Sequence, residues 1–210
     1  MTDKLIATDC DGVLFKWEEM FDKYMKVNGF EKKTQDHYEL HMNYQIPEAE
    51  MPVLVKIFNE SAYMRYLEPM EGAVEYVKKL ADEGWRFHVI TSQSTDKIAN
   101  QARKDNLKDV FGDVFEDFTF LDTGGGKIDA LKTLVPGTWW IEDKPKNAFD
   151  GAVLGLASIL LDLPHNSSYT INKQMNFQRA KDWKHIYDII KEKHYVCLLY
   201  TSDAADEAKC

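Results

Sequence analysis

The chain has 210 residues, 44% of them hydrophobic, and a formal net charge of −9. That length fits one domain, or one domain carrying a small insert, and the acidic balance argues against a nucleic-acid surface, which needs clustered Lys and Arg to displace counterions. The longest apolar run, from Ala152 to Leu161, is too short to span a membrane, and Met1 leads into Leu5, Ile6 and Ala7 without a basic stretch and long apolar segment, so a cytoplasmic protein with no membrane partner is expected.

Leu5 to Thr8 is a short apolar run that stops at Asp9, Cys10, Asp11 and Gly12, which reads as a buried strand ending on two carboxylates. Residues 16–66 then break any strand rhythm. They are rich in Met, Tyr, Phe, Glu and Lys, with helical spacing at Phe21, Tyr24 and Met25, and predict a small helical insert. From Glu71 to Glu83 the apolar positions Ala73, Val74, Val77, Leu80 and Ala81 recur with helical period, and Gly84 supplies the stop. A second strand over Phe87 to Ile90 ends at Thr91 and Ser92, and Ser94 or Asp96 can start the helix that covers Ile98 to Lys104.

The alternation continues with a strand over Phe118 to Leu121, a loop of three glycines, a helix from Lys127 to Leu134, and a strand Trp139 to Ile141 that ends on Glu142 and Asp143. Lys146 to Leu154 reads as a helix, Ser158 to Leu161 as a strand and Trp183 to Lys193 as a closing helix. Strands alternating with helices imply right-handed crossovers and an α/β fold, a Rossmann-like parallel sheet with helices on both faces. In such sheets ligands bind beyond the carboxyl ends of the strands. Asp9, Asp11, Thr91, Ser92, Glu142 and Asp143 all stand there. Residues 1–15 and 67–196 would form this core and 16–66 a helical cap over its crevice.

The last segment differs in character. Residues 197–210 begin CLLYTSDAADE, which matches a frame translation of the transposase adapter used to prepare sequencing libraries, so they are expected to be foreign to the protein. Cys10 is then the one remaining cysteine, unable to form an internal disulfide, in keeping with a reducing compartment.

The order of these motifs is specific. Asp9-Cys10-Asp11-Gly12-Val13-Leu14 resembles the first motif of the haloacid dehalogenase superfamily of phosphohydrolases, Thr91 the second, Lys127 the third and Glu142-Asp143 the fourth. The short first motif with a helical insert, together with Pro69 to Lys79, is similar to the 5'(3')-deoxyribonucleotidase group and related phage proteins. The resemblance implies a magnesium-dependent phosphomonoesterase for small substrates, in the first place nucleoside monophosphates. A phosphoryl group in transfer carries spread negative charge, so its site needs a nucleophile, a metal and fixed cations. Asp9 would form the aspartyl phosphate and Asp11 would act as acid, then base. Mg2+ would be held by Asp9, the Asp11 carbonyl and Asp143, with Glu142 as the alternative carboxylate. Thr91 and the Ser92 amide would bind the phosphate near a helix start, and Lys127 would neutralise nucleophile and phosphate.

Other readings of these residues compete. Lys132 rivals Lys127, Lys144 reads as a rim charge, and Cys10 as a packing residue whose thiolate the flanking aspartates disfavour. Phe15, Trp17 and Tyr44 offer rings for stacking on a base, though aromatics in a small helical insert more often form its core. His37, His41 and His165 show no ligand spacing and read as surface or satisfied residues, while Trp139 and Trp140 would fill the two faces of a central strand. A sugar phosphate or other small metabolite is the alternative substrate. A non-catalytic binding module is the alternative class, but such proteins usually lack one of the two aspartates.

Overall fold

The computed structural model describes residues 4–35, 39–171 and 176–193. The expectations for His37 and for the adapter-like tail lie outside the described residues. Six strands form one sheet in the order β3-β2-β1-β4-β5-β6, every pair parallel: β1 (Leu5–Thr8), β2 (Arg86–Thr91), β3 (Phe115–Phe120), β4 (Trp139–Glu142), β5 (Ala157–Leu161) and β6 (Phe177–Ala180). The strand order reverses at β1, which pairs with β2 on one side and β4 on the other. In sheets of this topology ligands bind beyond the carboxyl ends of the strands flanking the reversal, here β1 and β4.

Side-chain alternation fills both faces of the sheet. Ile6, Val89, Trp139 and Ile141 point to the larger core, which also takes Val77 and Leu80 of α4 (Ala73–Asp82), Leu107 and Phe111 of α5 (Lys97–Phe111), and Trp183, Ile186 and Ile190 of the closing helix 183–193. Ala7, Ile90 and Trp140 point the other way, with Leu131 of α6 (Ile128–Leu131). The paired tryptophans therefore occupy opposite faces. Helix α7 (Pro145–Val153) comes so close to the sheet that a Cβ on Gly151 would lie 2.5 Å from the Trp140 ring.

Between β1 and α4 the alternation gives way to three helices, α1 (Trp17–Val27), α2 (Leu40–Tyr44) and α3 (Met51–Asn59), and a 3₁₀ turn over Ala62–Arg65. This segment leaves and returns along adjacent backbones, since Lys16 N donates to Glu68 O and Met70 N to Leu14 O. Its interior is aromatic: Trp17 stacks on Phe21, whose ring also packs against Phe58 and Tyr44.

Four elements differ from the sequence reading. Helix α5 runs to Phe111, past the expected end at Lys104, because Leu107 and Phe111 extend its buried stripe. Strand β3 starts at Phe115, because its edge position tolerates the exposed Glu116 and Asp117. Helix α6 stops at Leu131, after which Thr133 N and Leu134 N donate three residues back, to Ala130 O and Leu131 O, in a tighter turn. Strand β6 was absent from the reading; with four residues and a polar centre of Gln178 and Arg179 it lacks the apolar run of the inner strands.

Candidate active site

The first loop fixes both aspartates. Asp9 N donates to Ile141 O and so continues the β1–β4 ladder by one bond, while Asp9 Oδ1 accepts from Cys10 N at 2.7 Å. The loop then turns at Gly12, whose φ of +77° belongs to the left-handed region where a side chain is strained. A Cβ on Gly12 would also lie 2.4 Å from Asp143 Oδ2. Glycine there lets the Asp143 carboxylate rest directly against the main chain of the first loop. Trp183 Nε1 anchors the loop from below, donating to Val13 O at 2.8 Å.

Lys127 stands at the centre of the carboxylates. Its ammonium lies 2.6 Å from Asp9 Oδ2 and 2.9 Å from Glu142 Oε2, with only 3% of the side chain exposed. The loop before it is strapped to the loop after β2, since Ser92 Oγ donates to Gly125 O and Thr123 Oγ1 to Gln93 O. That strap sets where Lys127 emerges. Lys132 points elsewhere, half exposed and paired with Asp129. Burial pulls the Lys127 ammonium down and the two carboxylates more than offset it, so its pKa is raised.

The fourth strand ends on two carboxylates with different duties. Glu142 is fully buried; Oε1 accepts from Asp143 N and Lys144 N, and Oε2 from Lys127 Nζ and Asn147 Nδ2. It holds the turn and the lysine together. Asp143 remains partly exposed and lies 3.2 Å from His165 Nε2, while Asn166 Nδ2 donates to its carbonyl at 2.8 Å. Burial lowers the His165 pKa, but the Asp143 hydrogen bond and charge outweigh it, and the net shift is upward.

One carboxylate oxygen from each of Asp9, Glu142 and Asp143 can be chosen so that the three lie within 4.8 Å of one another, a group able to hold a metal ion. Burial, then the neighbouring Glu142, raise Asp9 to about 7 against the pull of Lys127. Four carboxylates, with Asp11, thus meet two buried cations, Lys127 and Arg103, and the surplus negative charge suits a hard cation with oxygen ligands. Because both Glu142 oxygens are already engaged twice, Asp9 and Asp143 are the better ligands of the three.

Thr91, at the end of β2, is 1% exposed, and its Oγ1 has no hydrogen-bond partner among the described residues. A buried orphan hydroxyl implies a missing acceptor. Helix α5 starts at Lys97 with Asp96, one of the two expected start residues, as its cap: Asp96 Oδ1 accepts from Ile98 N and Ala99 N, so the helix N-terminus lies beyond Ser92 and is filled by the chain's own carboxylate.

Phe15 follows the core reading and not the base-stacking one. Its ring is fully buried, edge-on to Phe111 at 5.6 Å and beneath the Arg103 guanidinium, which closes it to a base. Tyr44 is buried too, its hydroxyl bonded to Asp22. Trp17 is half-buried and donates to Asn59 Oδ1. Cys10 is buried and free, and burial first, then the flanking aspartates, push its thiol pKa up. Arg103, Gln93, Asn147 and His165 escaped the sequence reading of the site. For Arg103 a signal existed: it sits four residues from both Ala99 and Leu107, on the buried stripe of α5.

The model of the family described as 5' nucleotidase, deoxy (pyrimidine), cytosolic type C protein matches residues 3–195. The chain belongs to this family. A relative from Chlorobaculum tepidum, named provisionally as a 5'(3')-deoxyribonucleotidase, is 29% identical over 128 residues, which cover 60% of this chain and 56% of the relative. The nucleotidase-family chain is also similar in fold to a haloacid dehalogenase-like hydrolase from Streptococcus pneumoniae (TM-score 0.60, 14% identity, 89% of this chain and 97% of that one). A D,D-heptose 1,7-bisphosphate phosphatase from B. bronchiseptica, solved with magnesium and phosphate, aligns with TM-score 0.57 and 12% identity over 90% of this chain and 98% of that one. At such identities these structures speak to fold alone. Among the described residues no helix is long and apolar enough to cross a membrane.

Proposed function

We propose that the chain is a magnesium-dependent phosphomonoesterase, acting in the cytoplasm on nucleoside 5'-monophosphates, deoxyribonucleotides included, through a phosphorylated Asp9. The observation that carries this reading is the carboxylate of Asp9, fixed by Cys10 N and Lys127 beside Glu142 and Asp143 where the strand order reverses. The family description and the name of the Chlorobaculum tepidum relative support the nucleotide. The helical segment 17–65 would form the cap over the site.

Asp9 and Asp143, with the Asp11 carbonyl, would hold the magnesium, which supplies charge neutralisation for the phosphoryl oxygens in transfer. Lys127 would hold Asp9 in line and take up part of the same charge, and the orphan hydroxyl of Thr91 would donate to a phosphate oxygen. An Asp9 carboxylate oxygen bonds to phosphorus as the ester oxygen leaves with a proton from Asp11. Asp11 then removes a proton from water, whose oxygen attacks phosphorus and frees Asp9 and inorganic phosphate.

The test is phosphate release from a panel of nucleotides and sugar phosphates with magnesium. The reading expects turnover that chelator abolishes, with nucleotides preferred. Preference for a sugar phosphate would keep the chemistry and overturn the substrate; no release from any ester would overturn the activity.

A further inference from the structure

The geometry points to Arg103 as the residue that positions Asp11 for proton transfer, acting as the end of a fixed relay that starts in the helical segment. Its guanidinium is completely buried and gripped at two points: Nη2 donates to Asp11 Oδ1 at 2.6 Å and Nε donates to Gln93 Oε1 at 2.6 Å. The face of the group rests on the Phe15 ring, 5.5 Å from its centroid. Gln93, itself fully buried, cannot drift. Its side-chain nitrogen donates to Ala99 O at 3.1 Å and to Asn59 O at 3.4 Å, and its carbonyl accepts from Asn59 Nδ2 and Thr123 Oγ1. Asn59 ends α3, and its Oδ1 accepts from Trp17 Nε1 of α1. Trp17, Asn59, Gln93, Arg103 and Asp11 thus form a continuous chain of hydrogen bonds.

Fold stability alone is a poor reason for such a group. A buried ion pair generally adds little over apolar residues of the same volume, because both charges are desolvated, and Arg103 also leaves Nη1 without a partner among the described residues. What the arrangement does achieve is direction. The planar fork holds one carboxylate oxygen of Asp11 at a set distance and angle, while the Asp11 side chain keeps 22% of its surface open. Oδ1 is committed to the guanidinium and Oδ2 is left for the proton. A shift of about 1 Å in a reacting group can lower a rate about 10²-fold. Arg103 is a positioning residue and Asp11 the catalytic one.

This inference rests on the phosphomonoesterase reading, and a double-mutant cycle separates the two. Turnover of a nucleotide with magnesium is measured for wild type, Arg103→Met, Arg103→Lys, Asp11→Asn and the double variant Arg103→Met/Asp11→Asn, with melting temperatures alongside. We expect Arg103→Met to lower kcat about 10²-fold with KM changed less than about threefold, Arg103→Lys to recover part of the loss, and Arg103→Met to have almost no further effect once Asp11 is Asn. Equal losses from Arg103→Met in both backgrounds, or no loss of kcat, would overturn the positioning role while wild-type turnover upholds the activity. If wild type turns over nothing, both fall. Should Arg103→Met not fold, Gln93→Met frees only the Nε end of the fork, and a kcat loss that vanishes in Asp11→Asn carries the same meaning; an equal loss in both backgrounds overturns it.

Discussion

Asp9 and Asp11 stand two positions apart, yet they are wired to different parts of the molecule. Asp9 belongs to the sheet: Cys10 N, Ile141 O and Lys127 tie it to β1, β4 and the turn before α6, among carboxylates that outnumber the cation at its side. Asp11 belongs to the helices, through Arg103 of α5 and onward through Gln93 to Asn59 at the end of α3. The contrast teaches how one short loop separates two chemical duties. On the proposed roles, the carboxylate that would meet the metal is anchored to the central strands, and the one that would handle protons is held by a fork that leaves an oxygen open.

The largest expected effect breaks the Asp9 side of this contrast. Asp9→Asn should remove turnover by at least about 10³-fold, because an amide is a poor nucleophile and lacks the charge that Lys127 and the metal require; phosphate release with magnesium measures it. Lys127→Met should come next. It strands buried Asp9 and Glu142 without their cation, which typically costs about 3–5 kcal/mol, and denaturant unfolding in chelator should show the loss, with magnesium restoring part of it.

A pH series sharpens the comparison. Burial and Glu142 raise Asp9 to about 7, and burial raises Asp11 to about 6 despite Arg103. Both values lie above the ordinary 3.8, so between about pH 4 and 7 the folded protein binds more protons than the unfolded chain and stability falls as pH rises. His165, shifted upward by Asp143, contributes in the same direction. Melting temperature in chelator should therefore decline from pH 5 to pH 8, while the increment from magnesium grows over the same interval. The smallest effect is expected of Lys132→Met, which breaks an exposed pair with Asp129 worth less than about 1 kcal/mol and should leave turnover unchanged. A large loss of activity there would move the lysine role away from Lys127.

The strand ends carried most of what was legible in the sequence. Apolar runs that stop at Asp9, Thr91 and Glu142 became β1, β2 and β4, because buried parallel strands must be apolar on both faces and their termini must not. Less legible were features that depend on neighbours distant in the chain. Glu142 and Asp143 look equivalent as a dipeptide, and only Asn147, His165 and Asn166 distinguish the one that holds the turn from the one left open. After β2 both Ser94 and Asp96 could start the helix, and Asp96 took the role, which leaves Ser92 outside the helix N-terminus. Phe15 follows the site motif closely, yet the isolated bridge between Phe15 and Pro69 turns it into the core.

The central claim is that Asp9 carries the phosphoryl group and Asp11 handles the protons, and rapid-quench trapping of protein labelled from a phosphate ester tests it most directly. With magnesium present, wild type should show a transient acyl-phosphate label, and Asp9→Asn none. Asp11→Asn should accumulate label, most visibly with an activated ester whose leaving group needs little protonation, because loss of the base slows hydrolysis of the intermediate by about 10²–10⁴-fold. Label on Asp9→Asn, or full steady-state turnover by Asp11→Asn, would contradict the assignment.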